Sequence, residues 1–395
     1  MSKIEEMIER LCPEGVEFKT FGEVCSYEQP GKYIVDKVDY SDSYDTPVLT
    51  AGQSFVLGYT NEKNGIYPAS KDNPVIIFDD FTGSFKWVDF PFKVKSSAMK
   101  MITSNSSVLL RYVYHYMGVI NYSSSEHTRL WIGTYSGFEI PIPPLPVQEE
   151  IVRVLDTFTE LQAELQAELQ KRLQQYNYYR DNLLTNFTPE QAPKEYTLGE
   201  VTVDIYSGAT PSKEKREYWE NGTIPWMSSG EVNLGQVYEV EGWITQLGYD
   251  KCSTKMVPEG SVVIALAGQG KTRGTVAILR TSVCTNQSLA ALVPKKEIVS
   301  GEYLYYYLKT QYAKLREVSA GDGTRGGLNL KMLRAYKVVI PSHKAQDQIV
   351  SILDRFETLT NDLAAGLPAE IEKRRQQYEF YRDKLLTFKS ANLHV

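Results

Sequence analysis

The chain carries a long internal repeat. Gln148, Ile151, Val152, Leu155, Asp156, Phe158 and Leu161 recur as Gln346, Ile349, Val350, Leu353, Asp354, Phe356 and Leu359, each 198 positions later. A second run, Gln175-Tyr176-Asn177-Tyr178-Tyr179-Arg180-Asp181-Asn182-Leu183-Leu184-Thr185, returns as Gln377-Tyr378-Glu379-Phe380-Tyr381-Arg382-Asp383-Lys384-Leu385-Leu386-Thr387, now 202 positions later. The four extra residues amount to about one helical turn. A repeat on this scale means one supersecondary unit built twice.

Each copy is periodic as a helix. Ile151, Leu155, Phe158, Leu161, Leu165, Leu169, Leu173, Tyr176, Tyr179 and Leu183 follow one another at steps of three or four, the signature of an amphipathic helix. The second copy runs Ile349, Leu353, Phe356, Leu359, Leu363, Leu367, Ile371, then Tyr378, Tyr381 and Leu385. Gly366 and Pro368 interrupt it and predict a kink or break. Two such stripes can bury each other as an antiparallel pair. That pairing would engage Leu155, Phe158, Leu161, Leu165 and Leu169 with Leu353, Phe356, Leu359 and Leu363. Two helices packed on separate domains are the alternative.

A globular stretch of mixed type precedes each helix. Phe21-Gly22-Glu23-Val24 opens one and Leu198-Gly199-Glu200-Val201 the other; Ile142-Pro143-Pro144 and Val339-Ile340-Pro341 close them. The interiors hold short β-rich runs such as Pro74–Phe78 and Ser261–Leu266 but differ in sequence. The expected fold is therefore α+β: two α/β domains separated by two long antiparallel helices forming a coiled-coil-like pair. The expected boundaries are 1–145 and 189–342 for the domains, 146–188 and 343–395 for the helical spacers. A length of 395 residues suits two domains plus connectors.

Composition narrows the class. No apolar run is long enough to span a membrane, and the charged N-terminus lacks the apolar core of a signal peptide. The four cysteines are scattered with no Cys-x-x-Cys pair, which argues against zinc and disulfides and fits a reducing cytoplasm. The net charge is −6. A protein coating DNA non-specifically is usually basic, so any DNA recognition here must use local positive charge and contacts to bases.

One stretch approaches a phosphate-binding loop: Val262-Val263-Ile264-Ala265-Leu266-Ala267-Gly268-Gln269-Gly270-Lys271-Thr272. Ala265 stands where the first glycine is required, and the next residues read as a turn and a strand. A phosphate loop needs a helix there. The favoured reading is a hairpin tip, Gly268 to Gly274, presenting Gln269, Lys271, Thr272 and Arg273. Glutamine suits adenine, arginine guanine and lysine phosphate. Thr324 and Arg325 sit in a second glycine-rich loop ending at Asn329, and His127, Thr128 and Arg129 hold the matching place in the first half. Lys71, Thr82, Lys86 and Trp87 make a looser basic-aromatic group. The four histidines suggest no catalytic arrangement, and Asp79-Asp80 reads as a strand-end turn.

The two repeated helical runs, with Ser207-Gly208-Ala209-Thr210-Pro211-Ser212-Lys213, Tyr218-Trp219 and Ile224-Pro225-Trp226, resemble the specificity subunits of type I restriction-modification systems over essentially the whole chain. Tyr27-Glu28-Gln29-Pro30, Leu49-Thr50-Ala51-Gly52-Gln53 and Gly58-Tyr59-Thr60-Asn61 look like one class of target-recognition domain. The tandem Glu-Leu-Gln units from Glu160 to Gln170 resemble the type IC branch. The resemblance implies a non-catalytic subunit that binds double-stranded DNA at a bipartite site. It implies two methyltransferase subunits and restriction-translocase subunits as partners. S-adenosylmethionine, ATP and Mg would belong to those partners. Gln53, Thr60, Asn61, Thr210, Ser212, Lys213 and Ser228 complete the candidate DNA contacts. A nucleotide-hydrolysing enzyme using the Gly268–Thr272 loop, or a coiled-coil adaptor that never meets DNA, are the competing readings.

Overall fold

The computed structural model describes residues 3–52, 54–120, 122, 128–268, 272–320, 327–361 and 366–391. The chain divides into two compact units, residues 1–166 with 370–395, and residues 167–369. The 41-residue central helix, Leu145–Thr185, contributes its first half to one unit and its second half to the other. In the C-terminal region a helix spans His343–Asn361; after a bend at Gly366 another spans Leu367–Leu385. Pro368 is tolerated there because the first turn of a helix needs no amide donor.

The first unit holds a four-stranded antiparallel sheet in the order Cys25–Glu28, Met99–Ser104, Val75–Asp79, Phe85–Val88. A three-stranded sheet of Val56–Thr60, Thr46–Leu49 and Lys93–Val94 lies beside it in the chain's topology. The second unit has a five-stranded sheet in the order Thr202–Ser207, Leu289–Pro294, Val262–Ala265, Val276–Leu279, Gln236–Val237. It also has a four-stranded sheet of Gly242–Ile244, Ile224–Met227, Val283–Thr285 and Met256–Val257. Strands such as Val75-Ile76-Ile77-Phe78 and Val262-Val263-Ile264-Ala265 are buried on both faces, so they read as continuous apolar runs rather than alternating ones.

Beneath unlike sheets the two units share one frame. Each is clasped by a two-stranded antiparallel ribbon, Glu17–Thr20 against Glu139–Ile142, and Lys194–Thr197 against Lys337–Ile340, in matching register. Each ribbon leads into a capping box: the Thr20 amide donates to Glu23 Oε2 at 2.6 Å, and the Thr197 amide to Glu200 Oε2 at 2.6 Å. A short helix follows the sheet in each unit, Leu110–Met117 and Gly301–Thr310. Their anchors correspond. Tyr112 donates to the Pro141 carbonyl at 3.1 Å and Tyr303 to the Val339 carbonyl at 2.9 Å.

The apolar stripes of the long helices divide between the core of each unit and the facing helix, Leu155 lying in the first core and Leu353 in the second. Leu155 and Leu353 are fully buried. Phe158 stacks on Tyr381 with ring centres 5.3 Å apart, and Tyr179 stacks on Phe356 at 5.6 Å. Partner numbers fall as central-helix numbers rise, the order of an antiparallel pairing. Leu161, Leu165 and Leu169 are half-buried, whereas Leu359 is exposed; Leu363 lies outside the described residues. Among the described residues no helix is long and apolar enough to cross a membrane.

Candidate nucleic-acid interface

In the second unit, three separated segments converge at one end of the strands of the five-stranded sheet. Val262–Ala265 and Val276–Leu279 pair antiparallel as a hairpin, with Val262 opposite Ile278. A turn at Thr272–Gly274 leads into the second strand, so among the described residues of this loop no helix N-terminus is present to hold a phosphate. Gly268 and Gly274 adopt φ of +131° and +83°, conformations that glycine reaches without strain. The Leu266 amide, just before this loop, donates to the Ser288 carbonyl at 2.8 Å, and the Leu328 amide to the Leu266 carbonyl at 3.1 Å. The loop Thr285–Ser288 is thereby brought beside the hairpin. The segment Ser207–Thr210 joins them because Gly208 lies against Thr285: a Cβ at Gly208 would stand 1.7 Å from the Thr285 carbonyl oxygen.

The predicted contacts in this unit take different roles. Thr210 donates from its hydroxyl to Gln287 Oε1 at 2.6 Å. Ser212 and Lys213 are exposed, and the Ser212 carbonyl accepts from Trp219 Nε1 at 3.1 Å. Thr272 and Arg273 are half-buried; the Thr272 carbonyl closes the turn to the Thr275 amide, and the Arg273 carbonyl accepts from Arg316 Nη1. Ser228 and Asn329 are helix caps. The Ser228 amide donates to Glu231 Oε2 at 2.6 Å, and Asn329 Oδ1 accepts from the Met332 amide at 2.9 Å. Gln269, Lys271, Thr324 and Arg325 lie outside the described residues. Gln287 is the residue that sequence reasoning passed over. The available signal was the polar run Thr285-Asn286-Gln287-Ser288 between two apolar strands.

In the first unit the hairpin Val75–Asp79 to Phe85–Val88 turns through an Asx turn. Asp79 Oδ1 accepts from the amides of Phe81 and Thr82 at 3.0 and 2.9 Å. Asp80 is fully buried and pairs with buried Lys100 at 3.0 Å. Its other oxygen accepts from the Trp131 amide at 2.8 Å. This pins the start of the short helix Leu130–Gly133, and with it exposed Arg129, beside the turn that carries exposed Thr82. Lys86 is half-buried on the second strand of the hairpin. Lys71 lies before the first strand, at the far end from Thr82. Thr60 is a correction: it is only 2% exposed at the end of its strand, so its side chain faces the interior. Asn61, next to it, is exposed. Trp87 packs under the Arg111 guanidinium, 4.7 Å from its ring centre, and is not a free surface aromatic. Gln53 and His127 lie outside the described residues.

Two buried groupings of ionisable side chains involve the helices. His115 contacts Asp156 at 2.8 Å and the Tyr378 hydroxyl at 3.0 Å. Burial pushes its pKa below the usual histidine value, with Asp156 opposing. Burial likewise pushes the Asp156 carboxyl up, but hydrogen bonds from His115 and Arg111 outweigh it and hold the group below its ordinary value. In the second unit Lys309 pairs with Glu357 at 2.9 Å at the base of an open cleft of 970 Å³, also lined by Arg180, Gln236 and Tyr305. Glu357 also accepts from Tyr306 and Gln236, so these charges are committed to one another. Among the described residues, no group of three or more His, Cys, Asp or Glu side chains is placed to hold a metal ion.

Comparison with known proteins agrees with this duplicated plan. Residues 13–175 and 193–373 each match the type I restriction modification DNA specificity domain. The chain is 44% identical over 401 residues to the EcoR124I/EcoR124II specificity subunit of Escherichia coli, covering 98% of this chain and 97% of that one. It is 30% identical over 174 residues to the MjaIX specificity subunit of Methanocaldococcus jannaschii, covering 42% and 39%. The fold is similar to the crystal structure of the type I restriction-modification S subunit from M. genitalium, with a TM-score of 0.60, 15% identity, and coverage of 94% and 96%. A chain from a structural study of complex assembly in the type I system aligns with a TM-score of 0.56 at 17% identity, covering 94% and 97%. The chain belongs to the family of type I restriction-modification specificity subunits.

Proposed function

We propose that the chain is the non-catalytic DNA-reading subunit of a methyltransferase and restriction complex. The domain at 1–145 reads one half of a bipartite site in double-stranded DNA, and the domain at 189–342 reads the other. The helical segments 146–188 and 343–395 set the gap between the halves and dock two methyltransferase subunits. Restriction-translocase subunits join the same assembly. S-adenosylmethionine, ATP and Mg are bound by those partners, in the cytoplasm.

The observation that carries this reading is the duplicated frame under unlike sheets. The ribbon, the capping box and the anchored short helix recur, while the surfaces they support differ. Such a chain can offer two different base-reading edges to DNA and two like surfaces to protein. Tyr178 and Phe380, at corresponding repeat positions, are 65% and 63% exposed. Aromatic side chains exposed in duplicate suit two copies of one partner.

Co-expression with cognate methyltransferase subunits, followed by mapping of methylated adenines in host DNA, tests the proposal. The expected product is one split motif that exchanging either domain alters in one half only. Methyl transfer by the isolated chain, or the same sites methylated without it, would overturn it.

A further inference from the structure

Gln287 sits on a loop held from several sides. The Asn286 amide donates to the Met227 carbonyl at 3.1 Å, and Asn286 Oδ1 accepts from the Ser288 amide at 3.0 Å. The Ser288 carbonyl accepts from Leu266. The Thr285 carbonyl accepts from the Thr254 hydroxyl at 3.0 Å. Across from it, the Ala209 carbonyl is held by Trp226 Nε1 at 3.0 Å. Thr210 is therefore also placed by its backbone, and its hydroxyl donates to Gln287 Oε1. The Gln287 side chain is nevertheless exposed. A flexible amide on a surface loop has been given one orientation.

That orientation leaves a defined hydrogen-bonding face. A carboxamide oxygen has two lone pairs and its nitrogen two donors. Thr210 takes one lone pair; the other remains beside the N–H groups, which have no partner among the described residues. A side-by-side acceptor and donor match the major-groove edge of adenine, whose N6 donates and N7 accepts. Guanine offers two acceptors there, so its O6 would oppose the amide oxygen. Thymine brings an acceptor and a methyl group, and cytosine a single donor. We infer that Gln287, oriented by Thr210, reads one adenine in the half-site of the second domain. This rests on the DNA-reading function proposed above and adds a specificity-determining pair to it. Thr210 acts as a positioning residue and need not touch the base.

The test uses the chain assembled with its methyltransferase subunits and maps methylated sites in genomic DNA. Gln287→Ala is expected to lower discrimination at one adenine position of one half-site by about 10-fold or more. The other half-site stays unchanged. Thr210→Val, which keeps the size but removes the hydroxyl, is expected to relax the same position more weakly, and Thr210→Ser to restore it. A Gln287→Ala motif identical to the wild type, with lowered thermal stability, would show the pair to be a staple between loops; the inference then falls while the DNA-reading function stands. Relaxation at a position that is not adenine in the wild-type motif overturns the base assignment. A wild-type complex that shows no motif at all refutes the DNA-reading function itself.

Discussion

Gln148 and Gln346, 198 positions apart, make the same three hydrogen bonds in their respective units. Gln148 Oε1 accepts from the Leu109 amide at 2.9 Å, and its Nε2 donates to the Ser107 and Pro143 carbonyls at 3.2 and 2.8 Å. Gln346 Oε1 accepts from the Ser300 amide at 2.9 Å, and its Nε2 donates to the Ile298 and Pro341 carbonyls at 2.9 Å each. Both side chains are fully buried. Each ties the start of a short helix to the foot of a long one.

Alanine at either glutamine leaves one amide and two carbonyls without these partners, a cost of roughly 2–4 kcal/mol. The loss should be local. Hydrogen exchange in Gln148→Ala should show lost protection across Tyr112–Met117 while Tyr303–Leu308 stays protected, and Gln346→Ala should show the reverse.

His115 and Tyr306 hold corresponding places on those short helices, each bonded to the corresponding aspartate, Asp156 or Asp354. The consequence is a pH dependence confined to the first unit. Because burial lowers the folded pKa of His115, the unfolded chain takes up its proton first as pH falls. Its contribution to stability is full above about pH 6.5 and is lost below that, toward the folded value. The slope cannot exceed about 1.4 kcal/mol per pH unit for one proton. His115→Gln should flatten it between about pH 7 and 5, measured by denaturant unfolding of the first unit. Burial raises the Tyr306 pKa, so no such slope is expected in the second unit.

Asn329→Ala should cost about 1 kcal/mol, the usual loss for a helix cap, whereas Ser228→Ala should cost little, because Ser228 meets Glu231 through its backbone amide. Thermal unfolding measures that loss. The methylated motif should be unchanged in Asn329→Ala, since that side chain is engaged by the Met332 amide ahead of it.

Lys100→Met should destabilise the first unit by about 3–5 kcal/mol, because it strands the buried Asp80 carboxylate. Urea unfolding followed at the first unit should register it. Methylation at moderate temperature should lose specificity in one half-site before the other, since Asp80 also holds the Trp131 amide.

Deleting Ala163–Gln166 removes about 6 Å of helix and about 400° of rotation, so the leucine stripe stays near its packing face. The proposed ruler then predicts a preferred spacer shorter by roughly one or two base pairs at 3.4 Å each. The bases read in either half should not change. Deleting two residues turns the stripe by about 200° and should break the packing. Methylation of a series of spacers decides the matter: an unchanged preference in the four-residue deletion removes the helices as the ruler.

Much of the frame is legible in the chain because its signals are local. The three- and four-residue steps from Ile151 to Leu183 need no knowledge of a partner to read as a helix. The apolar run Val276–Leu279 after the Gly268–Gly274 loop reads as a strand and disposes of a phosphate site. The 198- and 202-residue offsets announce two copies of one unit. What tertiary structure alone decided lies in contacts between distant residues. Burial of Thr60, the cap roles of Ser228 and Asn329, and the Thr210–Gln287 pair 77 positions apart depend on which loop lands beside which. His115 meets a hydroxyl 263 positions away, and no periodicity points to it. The physical reason is that helical and strand patterns repeat along the backbone at fixed intervals, whereas a polar side chain's role depends on the partner that folding delivers to it.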